Sequence, residues 1–218
     1  MRQLFKTLFS RPAISIIVLL VFFTINGYSR IIANRGESVF AGMTDKDVAV
    51  RSNIIDAAGY FLNSSSAFQA LLNRIELADT NGGDYKEWAQ VCSGAVAHMR
   101  NAVAQYLILK QSLEYRPYNP EMIDRLLCFD YDDFQKKNML TPGIFDEVKS
   151  YLGSGDVRGL FEHMLSSTGK ILASLTRVKA SLDAGVIPEL TLLWRLNQDY
   201  AEAMLFGQYA AQVFYEIK

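Results

Sequence analysis

The chain has 218 residues, half of them apolar and 21% charged, with a formal net charge of −1. This composition is typical of a folded globular protein and excludes a disordered chain. Three of the 22 basic residues and none of the 23 acidic residues precede residue 30, so the rest of the chain carries a charge of −4. The absence of a basic stripe argues against nucleic acid as a partner.

An apolar stretch at residues 13–29 follows Arg2, Lys6 and Arg11. A transmembrane helix needs roughly 20 apolar residues, with about 17 as the lower limit, and basic residues before it keep the N-terminus inside. Residues 1–33 are therefore predicted to form one N-terminal membrane-targeting or transmembrane helix, a signal-anchor in the inner membrane of a bacterium. The alternative is a signal peptide cleaved near residues 27–29, which would release the protein into the periplasm.

Residues 34–218 are predicted to form one extracytoplasmic domain that faces the periplasm or the exterior. Four segments in it carry residues spaced alternately four and three apart, a rhythm that keeps one helical face turned toward a partner. We call the residues on this inward face the seam of each helix. The four predicted seams are Ile54, Ala58, Phe61, Ser65, Phe68, Leu72 and Ile75; Trp88, Cys92, Ala95, Met99, Ala102, Tyr106, Leu109 and Leu113; Val157, Phe161, Met164, Thr168, Ile171, Leu175, Val178 and Leu182; and Leu193, Asn197, Tyr200, Met204, Gly207, Ala211 and Phe214.

Helix-ending and helix-starting residues separate these segments. Asp84 is predicted to cap the second helix, Gly185 to end the third, and Pro188 to lie in the first turn of the fourth. Because short loops join antiparallel neighbours, the sequence predicts an all-α fold. It is an antiparallel four-helix bundle of two long helical hairpins, with a short-helix insert at residues 117–153 between them.

Signatures of metal binding and catalysis are missing from the sequence. His98 and His163 lack the Glu three residues earlier that a di-iron bundle uses. The acidic residues at 130, 132 and 133 lack the glycine and the distal Glu of a calcium loop. No nucleophile elbow, phosphate loop or dinucleotide fingerprint occurs. We therefore expect no catalytic residue, no metal and no cofactor, and a protein that is not an enzyme.

Cys92 and Cys128 are the only cysteines. Two cysteines in an exported protein often pair, and a disulfide between these two would attach the insert to the bundle. In the alternative interpretation, Cys92 is a small apolar residue of the core.

Glycines occur inside the predicted helices at positions 59, 94, 169 and 207, although each costs about 1 kcal/mol relative to alanine. They indicate either close helix packing or a pocket between helices. The residues predicted to line such a ligand pocket are Tyr106, Thr168, Gly169, Asn197, Tyr200 and Gln208.

In outline, the bundle resembles the extracytoplasmic four-helix sensor domains of chemoreceptors, a likeness of architecture without a shared motif. We interpret the chain as a membrane-anchored, non-catalytic module for ligand sensing or protein interaction. Its expected partners are the inner membrane through residues 13–29, another protein, and a small-molecule ligand. The alternatives are a structural or assembly subunit of a membrane-associated complex, and a cofactor-binding bundle.

Overall fold

A computed structural model describes residues 45–78, 84–112, 150 and 156–216, with side-chain surroundings for residues 49–76, 84–112, 150 and 156–207. Its helices are α1 (Asp45–Ala78), α2 (Tyr85–Ser112), α3 (Val157–Asp183) and α4 (Leu190–Glu216). The predicted all-α four-helix bundle is confirmed in this part of the chain. The predicted N-terminal helix and, apart from Ser150, the insert at 117–153 lie outside the described residues. None of the four described helices has the length and apolarity that a membrane crossing requires.

Each helix runs antiparallel to its neighbours around the bundle, in the order α1, α2, α3, α4 and back to α1. Residue numbers that rise along one helix fall along the next at the contacts between them. These contacts are Ser64–Ala95 and Arg74–Glu87 between α1 and α2, Cys92–Leu175 and Lys110–Glu162 between α2 and α3, Met164–Gly207 between α3 and α4, and Ser64–Tyr200 and Gln69–Asn197 between α1 and α4.

The seams predicted from the heptad rhythm form most of the core. Every predicted position of α3 is buried, and so is every predicted position of α2 up to Leu109. In α1 the buried face is wider than predicted and includes Ala57, Ser64 and Leu71, because a straight helix drifts about 20° per heptad away from a 3.5-residue repeat. In α4, Leu196 takes the buried position beside the half-buried Asn197.

Aspartates cap the start of α2 and of α3. Asp84 Oδ1 accepts a hydrogen bond from the Glu87 amide at 3.0 Å, which confirms the predicted cap of α2. Asp156, for which no capping role was predicted, does the same for α3 by accepting from the Arg158 amide at 2.9 Å. Each bond satisfies an N–H group that has no partner inside its own helix.

The end of α3 confirms the role predicted for Gly185. This glycine has φ +69, a left-handed conformation that costs glycine no steric penalty. Its amide donates to the Leu182 carbonyl at 3.0 Å, and the Val186 amide donates to the Ser181 carbonyl at 2.9 Å, the pair of bonds that defines a Schellman ending. The prediction for Pro188 was wrong: α4 begins at Leu190, because the Glu189 carbonyl accepts its first helical bonds and Pro188 precedes that residue.

Close packing explains only one of the four mid-helix glycines named above. A Cβ atom added at Gly207 would lie 3.2 Å from Met164 Cε, whereas one added at Gly59, Gly94 or Gly169 would meet no atom within 4 Å. These three glycines therefore weaken their helices without a steric need.

Replacement of Gly59 by alanine should raise the free energy of unfolding by about 1 kcal/mol, because the new methyl group meets open space and alanine favours the helix. Chemical denaturation followed by far-UV circular dichroism measures this change. A loss of stability in Gly59→Ala would show that the exposed face of α1 at this point needs glycine for another reason.

Candidate binding groove between the third and fourth helices

Tyr200, one of the predicted pocket residues, lies in the core where α4 meets α1. Its hydroxyl is 2.6 Å from Ser64 Oγ, and Ser64 also donates to the Ala95 carbonyl at 2.7 Å. The Tyr200 ring packs on Phe61 and Phe68, with ring centroids 5.6 and 5.4 Å away. Burial raises the pKa of Tyr200, and the Ser64 hydrogen bond offsets part of that effect. Tyr200 thus joins three helices through packing and a buried hydrogen-bond chain.

The other predicted pocket residues are placed as follows. Thr168 is buried and donates to the Met164 carbonyl of its own helix at 2.7 Å. Asn197 Oδ1 accepts from Gln69 Nε2 at 2.6 Å. Tyr106 is buried on α2, Gly169 is half-buried on α3, and the Gln208 side chain lies outside the described surroundings. None of the five whose surroundings are described lines the groove between α3 and α4, and the role of all six as a ligand pocket stays a prediction.

That groove lies on the outer side of α3 and α4 and has a volume of about 440 Å³. Its lining follows the heptad rhythm of the two helices, one step around each helix from the core seam. The lining residues are His163, Ser167, Lys170, Ser174 and Arg177 of α3, and Leu192, Arg195, Asp199, Glu202 and Ala203 of α4. In the sequence these residues form a second stripe with 4-3 spacing, and because they are mostly polar, a search for apolar seams does not include them.

Charges of both signs face the groove. Lys170, Arg177 and Arg195 supply three cationic groups, and Asp199 and Glu202 supply two carboxylates. Burial raises the pKa of Asp199 above its ordinary value, while the charges of Arg195 and Lys170 oppose that rise. The groove is therefore a polar site with a cationic wall on α3 and a wall of mixed charge on α4, where Asp199 is half-buried.

The charges in this groove differ from those at two other helix interfaces. Arg74 pairs with Glu87 across α1 and α2, with 2.9 Å between Nε and Oε1, and Lys110 pairs with Glu162 across α2 and α3 at 3.2 Å. Between α3 and α4, no salt bridge within the described part of the chain involves Lys170, Arg177, Arg195 or Asp199. Cationic and anionic side chains thus line the groove together, and these four residues form no salt bridge across it within the described helices.

The two histidines lie at different helix interfaces. His98 on α2 stacks on Tyr60 of α1 with ring centroids 6.5 Å apart, and His163 on α3 packs on Phe206 of α4 at 4.2 Å. His163 Nε2 also lies 3.4 Å from Ser167 Oγ. Among the residues that the structure describes, no three His, Cys, Asp or Glu side chains come together as a metal site.

Cys92 is a free cysteine in the core, with its Sγ 3.7 Å from the Leu175 carbonyl oxygen. Burial raises the pKa of its thiol to about 12, so the thiol stays protonated at neutral pH and is a poor nucleophile. Cys128 lies outside the described residues, and a disulfide between the two stays a prediction.

The fold and the groove together define a class: an α-helical bundle with a polar, charge-lined groove between two of its helices. Comparison with protein-family models, with curated proteins and with solved structures gives no significant match for this chain.

Proposed function

We propose that the chain is a non-catalytic binding module whose ligand occupies the groove between α3 and α4. The observation that carries this proposal is that Lys170, Arg177, Arg195 and Asp199 line the groove without a salt bridge in the described part of the chain, whereas charges pair at two other helix interfaces. A solvent-exposed ion pair contributes only about 0.2–1 kcal/mol to stability. Charged side chains that stay apart around an open groove therefore cost the bundle little stability and remain available to a polar ligand.

Residues 13–29 form the membrane attachment in this proposal. The three basic residues before them keep the N-terminus in the cytoplasm, and the bundle then faces the periplasm or the exterior. Intact mass of the natively expressed protein in membrane and soluble fractions tests the attachment. A full-length mass in the membrane supports an anchor, and a mass that begins near residues 28–30 in the soluble fraction supports a cleaved signal.

Binding in the groove is tested by a thermal-shift screen of the full-length protein against amino acids, short peptides, carboxylates, phosphates and polyamines. We expect at least one class to raise Tm, because a ligand that binds only the folded state stabilises it by mass action. Arg195→Ala should reduce that rise by at least half at a fixed ligand concentration, since a charge-assisted hydrogen bond is worth about 1.5–3 kcal/mol.

Lys179→Ala is the matched control, because Lys179 lies on α3 outside the groove and pairs with Asp183 on the surface. It should leave the ligand-induced rise in Tm unchanged. Equal effects of the two variants, or no rise with any compound class, would contradict a binding role for the groove.

An assembly subunit is the second candidate function, and exposed apolar residues favour it. Ile55 is 45% exposed on α1, and Leu107 and Ile108 are 45% and 43% exposed near the end of α2. Because α1 and α2 are antiparallel, with Ser64 beside Ala95, these residues lie toward the same end of the hairpin. Crosslinking in intact cells tests this function, and a stoichiometric protein crosslinked at this end of the hairpin would favour it. A visible absorption band in the purified protein would instead favour a cofactor-binding bundle.

A further inference from the structure

The second half of α4 contains four consecutive buried residues. Ala203, Met204, Leu205 and Phe206 are 2%, 7%, 3% and 1% exposed. Successive residues of a helix point about 100° apart, so four in a row face almost every direction around it. Elsewhere in the described ranges, at most two consecutive residues are buried. Burial on every side is typical of a helix that other elements surround, and it indicates a neighbour on the outer side of α4.

Leu205 is the residue that points to this outer side. Asn197 faces α1, where its side chain accepts a hydrogen bond from Gln69. Leu205 lies eight residues further along α4, which turns it about 80° from Asn197 in the direction away from the core residue Tyr200. It is therefore directed past α1 rather than into the bundle.

Neither α1 nor α3 accounts for the burial of Leu205. Because Ser64 lies beside Tyr200 and the two helices are antiparallel, Leu205 is level with Gly59 of α1. That glycine is exposed, and a Cβ atom added to it would meet no atom within 4 Å. On the other side, α3 packs on Phe206, which points about 100° away from Leu205.

The sequence just before α3 has an apolar face that needs such a surface. In a helix over residues 142–152, Ile144, Phe145, Val148 and Leu152 would lie on one face. Ser150 would lie on the opposite face, and the structure shows this residue as helical and exposed. The exposure of Ser150 fits a helix whose apolar face is turned toward the bundle.

The position and length of this segment also fit the outer side of α4. Residues 153–155 are Gly-Ser-Gly, and short loops join antiparallel neighbours, so a helix over 142–152 would run back alongside α3. Since Met164 lies beside Gly207, Leu205 is level with a point about 14 Å from the start of α3. A helix over residues 142–152 is about 16 Å long and reaches that level.

We infer that residues 142–152 form an amphipathic helix whose apolar face packs on the outer side of α4 and covers Leu205. Leu205 is buried within a single chain, so the covering residues belong to the same chain. This contact attaches the insert to the bundle by apolar packing. The inference does not rest on the proposed function of the groove.

Cysteine labelling of the native full-length protein tests the inference. The protein carries Leu205→Cys and Cys128→Ser, and the buried thiol of Cys92 serves as an internal reference. We expect Phe145→Asp to speed labelling at position 205 at least tenfold without changing the rate at Cys92, because an unpaired charge cannot stay buried against α4. Ser150→Asp is the matched control: it places the same charge on the exposed face of the segment and should change neither rate.

Unchanged labelling at position 205 in Phe145→Asp would overturn the inference. Acceleration by Phe40→Asp instead would assign the contact to the segment before α1, and labelling that slows with rising protein concentration would assign it to a second copy. Both results contradict the inference. If Phe145→Asp speeds labelling of both thiols, the core itself has loosened, and Val148→Thr, a change of similar size, is then judged by the same criterion.

Discussion

Replacement of Tyr200 by alanine should lower the free energy of unfolding by about 3–5 kcal/mol, the cost of removing a buried aromatic side chain and leaving a cavity. Tyr200 is 2% exposed and packs on Phe61 and Phe68. It also holds α4 against α1, two helices whose backbones approach each other less closely than the other neighbouring pairs. Chemical denaturation of the purified protein, followed by far-UV circular dichroism, measures the loss.

Tyr200→Phe is the matched control because it keeps the ring and removes only the hydroxyl. Ser64 Oγ retains its hydrogen bond to the Ala95 carbonyl, so the variant leaves no buried donor without a partner and should lose only about 1 kcal/mol. Similar losses in the two variants would show that the hydroxyl, and not the ring, holds α4 against α1.

Stability should fall steeply as the pH rises above 9, because two buried acids keep their protons only in the folded state. The pKa of Cys92 rises from 9.0 to about 12 through burial, and burial also raises the pKa of Tyr200. Between pH 9 and pH 12 the unfolded chain loses the thiol proton while the folded chain retains it. The stabilisation is therefore complete below pH 9 and is lost as the pH approaches 12.

The pKa difference of the Cys92 thiol between the folded and unfolded states sets the size of this loss of stability. Each unit of pKa difference between two states is worth about 1.4 kcal/mol, so Cys92 alone should remove about 4 kcal/mol by pH 12. Unfolding free energies measured from pH 7 to pH 11 under reducing conditions test this, with Cys92→Ala as the comparison. The variant should show a shallower decline above pH 9, and parallel profiles would contradict a buried, protonated thiol at this position.

The sequence predicted the helices and their inner faces well because both depend on local spacing. The seam of α3 was complete because its apolar residues follow the 4-3 rhythm without interruption. The seam of α4 was less accurate: Asn197 occupies a position that the rhythm assigns to the core, and its bond to Gln69 holds it at the edge. Pro188 was misplaced by two positions, since a proline fits both just inside and just before a helix start.

The sequence could not predict which polar side chains form hydrogen bonds with each other. Ser64 and Tyr200 are 136 residues apart along the chain, and no local pattern indicates that their hydroxyls meet. The groove was partly visible in advance, because Lys170, Ser174 and Arg177 repeat the 4-3 spacing beside the core seam. That spacing could not show that Lys170, Arg177, Arg195 and Asp199 form no salt bridge within the described helices, since pairing depends on the rotation of one helix against the other.

Amide hydrogen exchange of the full-length protein tests the central claim most directly, with and without each compound that raises Tm in the ligand screen. If the groove between α3 and α4 is the binding site, slower exchange should be concentrated at residues 163–177 and 192–203. Protection concentrated at Ile55, Leu107 and Ile108, or spread evenly over the four helices, would contradict a binding site between α3 and α4.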